Sequence, residues 1–164
     1  MERYHLAEVN VAVLRQPLDA PETADFVAAL EPINRLADSS PGFVWRLQTA
    51  EGDSTSIRVF DDDRIIVNLT VWESLETLWA FTYASRHLDV LRRRREWFRR
   101  IAEAHLALWW VPAGQVPTVD QAVERLEALR RNGPSPEAFT LREPFPAPER
   151  SPRRRVGPSA EGPG

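Results

Sequence analysis

Polar and aromatic side chains that could bind a small molecule alternate with apolar ones in three short segments: YHLAEVNVAVL, FVWRLQT and IIVNLTVW. The alternating members that carry chemistry are Glu8, Asn10, Arg46, Gln48, Asn68, Thr70 and Trp72. An amide can donate a hydrogen bond to a developing oxyanion, and a carboxylate can move a proton. An indole ring can stack on an aromatic substrate. The three segments therefore predict a face made of binding and acid–base groups.

An arginine-rich segment, SRHLDVLRRRREWFRR, contains two further candidates. At 100° per residue, one helical arc about 120° wide holds Val90, Leu91, Trp97, Phe98 and, just after the segment, Ile101. His87 and Arg94 fall inside that arc, whereas Arg92 and most of the other arginines fall outside it and predict a solvated face. An unpaired charge inside the arc would be costly, so Arg94 needs a carboxylate partner or a route to water. Either Arg94 lies at the helix edge and His87 is a hydrogen-bonded core residue, or both reach into a pocket.

Composition limits the classes of function. The chain has 164 residues, enough for one domain and a tail, and no cysteine that could form a disulfide or a thiolate metal site. Its net charge of −3 becomes −6 without the last fifteen residues, which hold four arginines and one glutamate. That sign argues against a nucleic-acid partner, and the three histidines lack metal-ligand spacing. With no recognisable signal peptide or membrane span, we expect a cytoplasmic protein without a metal.

Four segments have the periodicity of strands, namely 4–14, 43–49, 65–72 and 105–111. Four helices are predicted between and after them: one kinked at Pro32, one capped by Ser74, one from Ser85 to Ile101, and one capped by Thr118. This order predicts an α+β, ferredoxin-like split βαβ fold with a four-stranded antiparallel sheet and an extra C-terminal helix. The domain is expected to span residues 1–142. Residues 143–164, rich in Pro, Arg and Gly, are expected to be disordered.

The first three predicted strands each offer one apolar face and one mixed face of amides, hydroxyls, charges and aromatic rings. We expect helices on the apolar face. The mixed face includes Trp72 and one of Trp109 and Trp110, which is too aromatic for a surface in water and typical of a covered pocket. Another copy of the same sheet could provide the cover, so we expect a homodimer. The expected substrate-binding residues are Glu8, Asn10, Arg46, Gln48, Thr70 and Trp109.

The stretches SPGFVWRLQ, RIIVNLTVWES, LRRRREWF and LWWVPAGQVPT resemble a bacterial family of unknown function, DUF3291, over about residues 4–142. The resemblance implies membership of the dimeric α/β-barrel superfamily, which includes antibiotic-biosynthesis monooxygenases. In similar quinone-forming enzymes that need no cofactor, an Asn and a Trp four apart on the third strand act with an Arg on the next helix. Asn68 and Trp72 match that spacing. An ungapped reading puts the arginine at Arg92, whereas the helical arc favours Arg94.

The resemblance implies a monooxygenase-like enzyme that oxidises a small electron-rich aromatic or polyketide-type molecule without a cofactor. The catalytic residues would be Asn68, Trp72, His87 and one of the two arginines. Two alternatives remain open: a cyclase or isomerase with His87 or Glu8 as acid or base, and a non-catalytic module that binds a small molecule or a protein. Asn10 matches the asparagine of haem-degrading relatives, but Phe81 and Arg92 stand where these carry Trp and His, which disfavours haem breakdown.

Overall fold

A computed structural model describes residues 3–48, 62, 64–83 and 85–149. Its strands are β1 (Tyr4–Val13), β2 (Phe43–Arg46), β3 (Ile65–Trp72) and β4 (Leu106–Pro112). Its helices are α1 (Ala24–Asp38), α2 (Leu75–Thr82), α3 (Ser85–Arg92), α4 (Arg94–Trp97) and α5 (Val119–Asn132). The end of the predicted second strand and the start of its following loop, residues 49–61, lie outside the described residues.

The sheet confirms the predicted ferredoxin-like topology. Its strand order is β2-β3-β1-β4, and every neighbouring pair is antiparallel. Asn10 lies directly opposite Asn68, and Glu8 lies directly opposite Thr70, so the polar positions of β1 and β3 face the same side. The mixed face predicted from alternation therefore exists as a continuous surface.

Capping explains where two of the helices begin. The side chains of Ser74 and Thr118 each accept a hydrogen bond from the backbone N–H three residues on. The side chains of Thr77 and Gln121 in turn accept one from the backbone N–H of the cap residue, which completes two capping boxes. Pro32 does not divide the helix, because α1 runs without interruption from Ala24 to Asp38, and the kink stays a prediction. One lost backbone hydrogen bond is offset by packing along the buried side of this helix.

The predicted single helix from Ser85 to Ile101 is also wrong. α3 ends at Arg92, α4 occupies only Arg94–Trp97, and Phe98 is extended. The chain leaves the helix because it pairs with the end of β1: Arg99 donates from its backbone to Val13, and Phe98 forms a bridge with Leu14. Backbone pairing at the sheet edge replaces the helical hydrogen bonds of the final turn.

Helices cover both faces of the sheet, in an arrangement that differs from the prediction. α5 packs on the apolar face, in a cluster that includes Val9, Leu69 and Trp109. The mixed face is covered by α1, α2, α3 and α4 of the same chain, which bury Leu6 and Trp72 among others. The expected cover by a second copy is thus already supplied by the chain itself. The homodimer stays a prediction, but the need to cover the mixed face no longer supports it.

The packed part of the chain continues past the predicted boundary at residue 142. Phe145 packs near Phe139, with ring centroids 5.9 Å apart, and its carbonyl accepts a hydrogen bond from Trp110 Nε1 at 2.8 Å. Just before it, Phe139 forms an isolated antiparallel bridge with Leu108 of β4. In the described part of the chain, no helix is long and apolar enough to cross a membrane.

Candidate functional site

A cavity of about 180 Å³ lies between the mixed face of the sheet and helices α1, α3 and α4. Phe26, Leu30, Ile66, Val90, Leu91 and Phe98 contribute to its apolar wall. Six polar side chains also line it: Asn10, Asn34, Arg46, Asn68, His87 and Arg94. A small apolar chamber with a few convergent polar groups is the usual form of a ligand site.

The floor of the cavity carries a pair of amides. Asn10 and Asn68 are cross-strand partners, so their Cβ atoms lie about 4.5–5.5 Å apart. Neither side chain has a hydrogen-bond partner among the described residues. Asn68 is exposed although Val67 and Leu69 beside it are buried, because the cavity opens above it. Both amides are therefore free to bind a ligand.

His87 is the only side chain of the described lining that can act as a base near neutral pH. Its Nδ1 lies 2.8 Å from the carbonyl oxygen of Thr82. A carbonyl can only accept, so Nδ1 carries the proton and Nε2 keeps a lone pair. Burial lowers the pKa of His87, and the hydrogen bond to Thr82 opposes this more weakly. His87 is therefore neutral at pH 7 and available to accept a proton.

The two lining arginines differ in their charge balance. Arg46 is mostly buried, with 12% of its side chain exposed, and Asp38 accepts hydrogen bonds from it at 2.7 and 3.3 Å. Arg94 is exposed, and its Nη2 lies 3.3 Å from Nε2 of His105. The sequence predicted that Arg94 would need either a carboxylate partner or a route to water. No described carboxylate pairs with Arg94, and its exposure provides the route to water.

Glu8 lies on the same sheet face as Asn10 but outside the cavity lining. It is partly buried between cross-strand neighbours Thr70 and Leu108, and burial raises its pKa to about 7. It has no hydrogen bond or ion pair with any described residue. Its carboxyl group is therefore largely protonated in mildly acidic solution.

Two of the expected aromatic site residues lie elsewhere. Trp72 is fully buried beside the cavity, stacked on Phe81 at 4.9 Å, and its Nε1 donates to the hydroxyl of Thr70 at 3.0 Å. Trp109 lies on the apolar face under α5, so its expected place on the mixed face is wrong. The even positions of β4 face the mixed side, which places Trp110 there instead, against Phe139.

Three further expected residues do not line the cavity. Arg92 has 70% of its side chain exposed and lies 3.8 Å from Asp89. Gln48 is exposed just beyond β2, and the hydroxyl of Thr70 is engaged by the indole of Trp72. Of the two arginines left open by the sequence, Arg94 is thus the one that reaches the cavity.

Sequence reasoning missed part of the lining. Asn34 lies four residues after Leu30 and eight after Phe26, on the same side of α1. That spacing was visible, but an amide within an apolar stripe gives no signal by itself. His105 was also missed, because its contact with Arg94 depends on the end of α4 and the start of β4 meeting in space.

The model of a family described as a domain of unknown function, DUF3291, matches residues 5–155. Among curated proteins, none matches the sequence at a significant level. A variant of SnoaB, a cofactor-independent oxygenase from Streptomyces nogalater, is 18% identical with a TM-score of 0.45, covering 68% of this chain and 95% of its own.

Two further solved structures are similar at the same level. A protein from Nitrosomonas europaea described as a candidate antibiotic biosynthesis monooxygenase is 15% identical with a TM-score of 0.44, covering 71% of this chain and 93% of its own. Rv0793 from Mycobacterium tuberculosis is 12% identical with a TM-score of 0.44, covering 70% of this chain and 98% of its own. These values are too low to assign a function.

Proposed function

Because this chain belongs to the DUF3291 family, a domain of unknown function, its activity has to be argued from its own cavity, and we propose that it oxidises small electron-rich aromatic molecules with O₂ and without a cofactor. In the proposed reaction, the ring carbon para to a phenolic hydroxyl loses its hydrogen and takes one oxygen atom of O₂. The second oxygen atom leaves as water. The ring gives up four electrons as it becomes a quinone, and O₂ takes up the same four.

The observation that carries the proposal is the free amide pair, Asn10 and Asn68, in one cavity with a neutral His87. His87 Nε2 accepts the phenolic proton, since a neutral imidazole is a suitable general base. The amides then donate hydrogen bonds to the phenolate oxygen, which stabilises the anion that reduces O₂. No other residue of the described lining is needed to hold or move a proton.

Cavity size favours a substrate with a single ring. An apolar protein cavity of about 150 Å³ accommodates benzene, so a cavity of about 180 Å³ suits one ring with small substituents. Phe26 and Phe98 in the wall supply the aromatic contact that the sequence assigned to Trp72. A polycyclic substrate would have to extend through the open side above Asn68.

Oxygen uptake with monocyclic phenols tests this proposal. We expect consumption of O₂ and formation of a quinone absorbance, both reduced at least about tenfold in Asn68→Ala, because removing one oxyanion donor typically costs that much or more. Asn132→Ala, at the exposed end of α5, is the matched control and should retain full activity. Binding of the phenol with no O₂ uptake would instead indicate a non-catalytic module, and conversion without O₂ a cyclase or isomerase.

The pH dependence tests the role of His87. Its pKa lies below 6.5 because of burial, and the base must be unprotonated. The rate should therefore rise with pH along a limb that lies below the usual range of a histidine, and be level at higher pH. His87→Gln should remove this limb and lower the rate, whereas His5→Gln, outside the cavity lining, should leave both unchanged. An unaltered limb in His87→Gln would contradict the assignment.

A further inference from the structure

The charged groups around the cavity leave one positive charge without a counter-charge. Arg46 is neutralised by Asp38, and burial keeps His87 neutral at pH 7. The lining contains no carboxylate among the residues that the structure describes. Among the described lining residues Arg94 is the remaining charge, so this set has a net charge of about +1.

Arg94 differs in this respect from its neighbours in the same segment. Arg93 donates hydrogen bonds to Asp25 and Glu96, each at 2.8 Å, and lies over the ring of Trp97. Arg92 lies near Asp89. Only Arg94 of these three lines the cavity, and it has no carboxylate partner within the described residues.

Within the described residues, the side chain of Arg94 makes one polar contact. Its Nη2 donates to His105 Nε2, because a guanidinium has donors and no acceptor. His105 Nδ1 lies 3.4 Å from the carbonyl oxygen of Glu103, which agrees with a proton on that nitrogen. This contact uses one of the five guanidinium N–H donors and leaves the others for a ligand.

We propose that the cavity selects monoanionic aromatics, with a carboxylate on the ring bound by Arg94 and a ring hydroxyl placed at Asn10 and Asn68. The ring chemistry rests on the proposed function, whereas the charge selectivity does not. A planar guanidinium matches a carboxylate geometrically and binds it through charge-assisted hydrogen bonds. The carboxylate takes no part in the oxidation and remains on the product.

Calorimetric binding of 2-hydroxybenzoate and of its uncharged methyl ester, without turnover, tests the charge selectivity. We expect the wild-type protein to prefer the acid by about tenfold, the effect of one charge-assisted hydrogen bond, and to lose that preference at high salt. Arg94→Gln should bind both compounds equally. Arg92→Gln, which removes a charge close by but outside the lining, should keep the preference.

Each result decides between the two proposals. Equal binding of acid and ester by the wild-type protein, or a preference that survives in Arg94→Gln, would overturn the selectivity for anions. A preference for the acid that depends on Arg94, without any O₂ uptake, would support the selectivity for anions and reject the oxygenase activity. Oxygen uptake with uncharged phenols, without a preference for the acid, would support the oxygenase activity and reject the selectivity for anions.

Discussion

Replacing Glu8 by glutamine should change the stability in a pH-dependent way. The free energy of unfolding of the variant, minus that of wild type, should be larger in alkaline than in acidic solution. Glu8 is partly buried in the central strand of the sheet without a hydrogen bond or ion pair to any described residue. Its ionised form is therefore poorly solvated in the folded state and well solvated in the unfolded chain. Glutamine has nearly the same shape and carries no charge at any pH.

The sign and size follow from the two pKa values. Below about pH 4.5 both states hold the proton, and Glu8 contributes no pH dependence. Between 4.5 and about 7 the unfolded chain releases it while the folded state keeps it, so the free energy of unfolding falls as pH rises. Each unit of pKa corresponds to about 1.36 kcal/mol, so the full loss above pH 7 is about 3 kcal/mol.

Urea unfolding of wild type and Glu8→Gln at pH 5 and pH 8.5 measures this loss. The difference in unfolding free energy between variant and wild type should shift by about 2–3 kcal/mol in favour of the variant at the higher pH. The contribution of His87, which has the opposite sign, cancels in this comparison. Glu124→Gln, on the exposed side of α5, should show no comparable shift. A shift below about 0.5 kcal/mol for Glu8→Gln would refute the argument that its carboxyl group is desolvated.

Three further predictions, which use five substitutions, test the packing. Gly42→Ala should cost more than about 1 kcal/mol in unfolding free energy, since φ is +79° and the added Cβ would overlap the side chain of Thr77, a capping-box residue. Gly114→Ala, with φ +89° and no atom within 4 Å, measures the cost of the backbone conformation without that overlap. Arg93→Ala should lower the melting temperature more than Arg94→Ala, because only Arg93 makes two ion pairs and a ring contact. Phe145→Ala should cost about 1–2 kcal/mol in unfolding free energy by removing partly buried packing, and no change would support the boundary predicted at residue 142.

Local patterns in the sequence predicted the elements well. The bounds of β3 are those expected from its alternation, and β1 ends one residue earlier than expected. Both capping boxes follow from side chains three residues apart, a contact within one turn. Alternation also separated the two faces of β1 and β3 correctly, because successive side chains of a strand point to opposite sides.

What covers each face could not be predicted in the same way. Alternation shows that a face is mixed, but not whether a helix of the same chain or another molecule lies over it. The prediction placed the helices on the apolar face, whereas in the described part of the chain α5 covers that face and the other helices lie on the mixed face. Trp109 was misplaced for the same reason: neighbouring Trp109 and Trp110 face opposite sides, and their types do not say which is which.

The arginine segment shows the limit of a helical projection. A projection assumes that the helix continues, but the chain leaves α4 at Trp97 to pair with the end of β1. Arg94 lines the cavity, as its place in the helical arc favoured, but Arg93, which fell outside the arc and was expected to be solvated, makes the ion pairs. Long-range backbone pairing ends the helix, and the local periodicity of the sequence does not predict such pairing.

The mixed face favours uncharged side chains and an anionic ligand for one physical reason. Desolvation raises the pKa of Glu8 and lowers that of His87, so it moves both groups toward their neutral forms. A guanidinium does not lose its proton in this range, so Arg94 at the exposed end of the cavity keeps its charge. A ligand carboxylate would meet that charge without facing an ionised carboxylate in the described lining. Adding a second charge to the cavity, by His87→Arg, should therefore strengthen 2-hydroxybenzoate binding at low salt, and weaker binding would show that shape rather than charge controls the affinity.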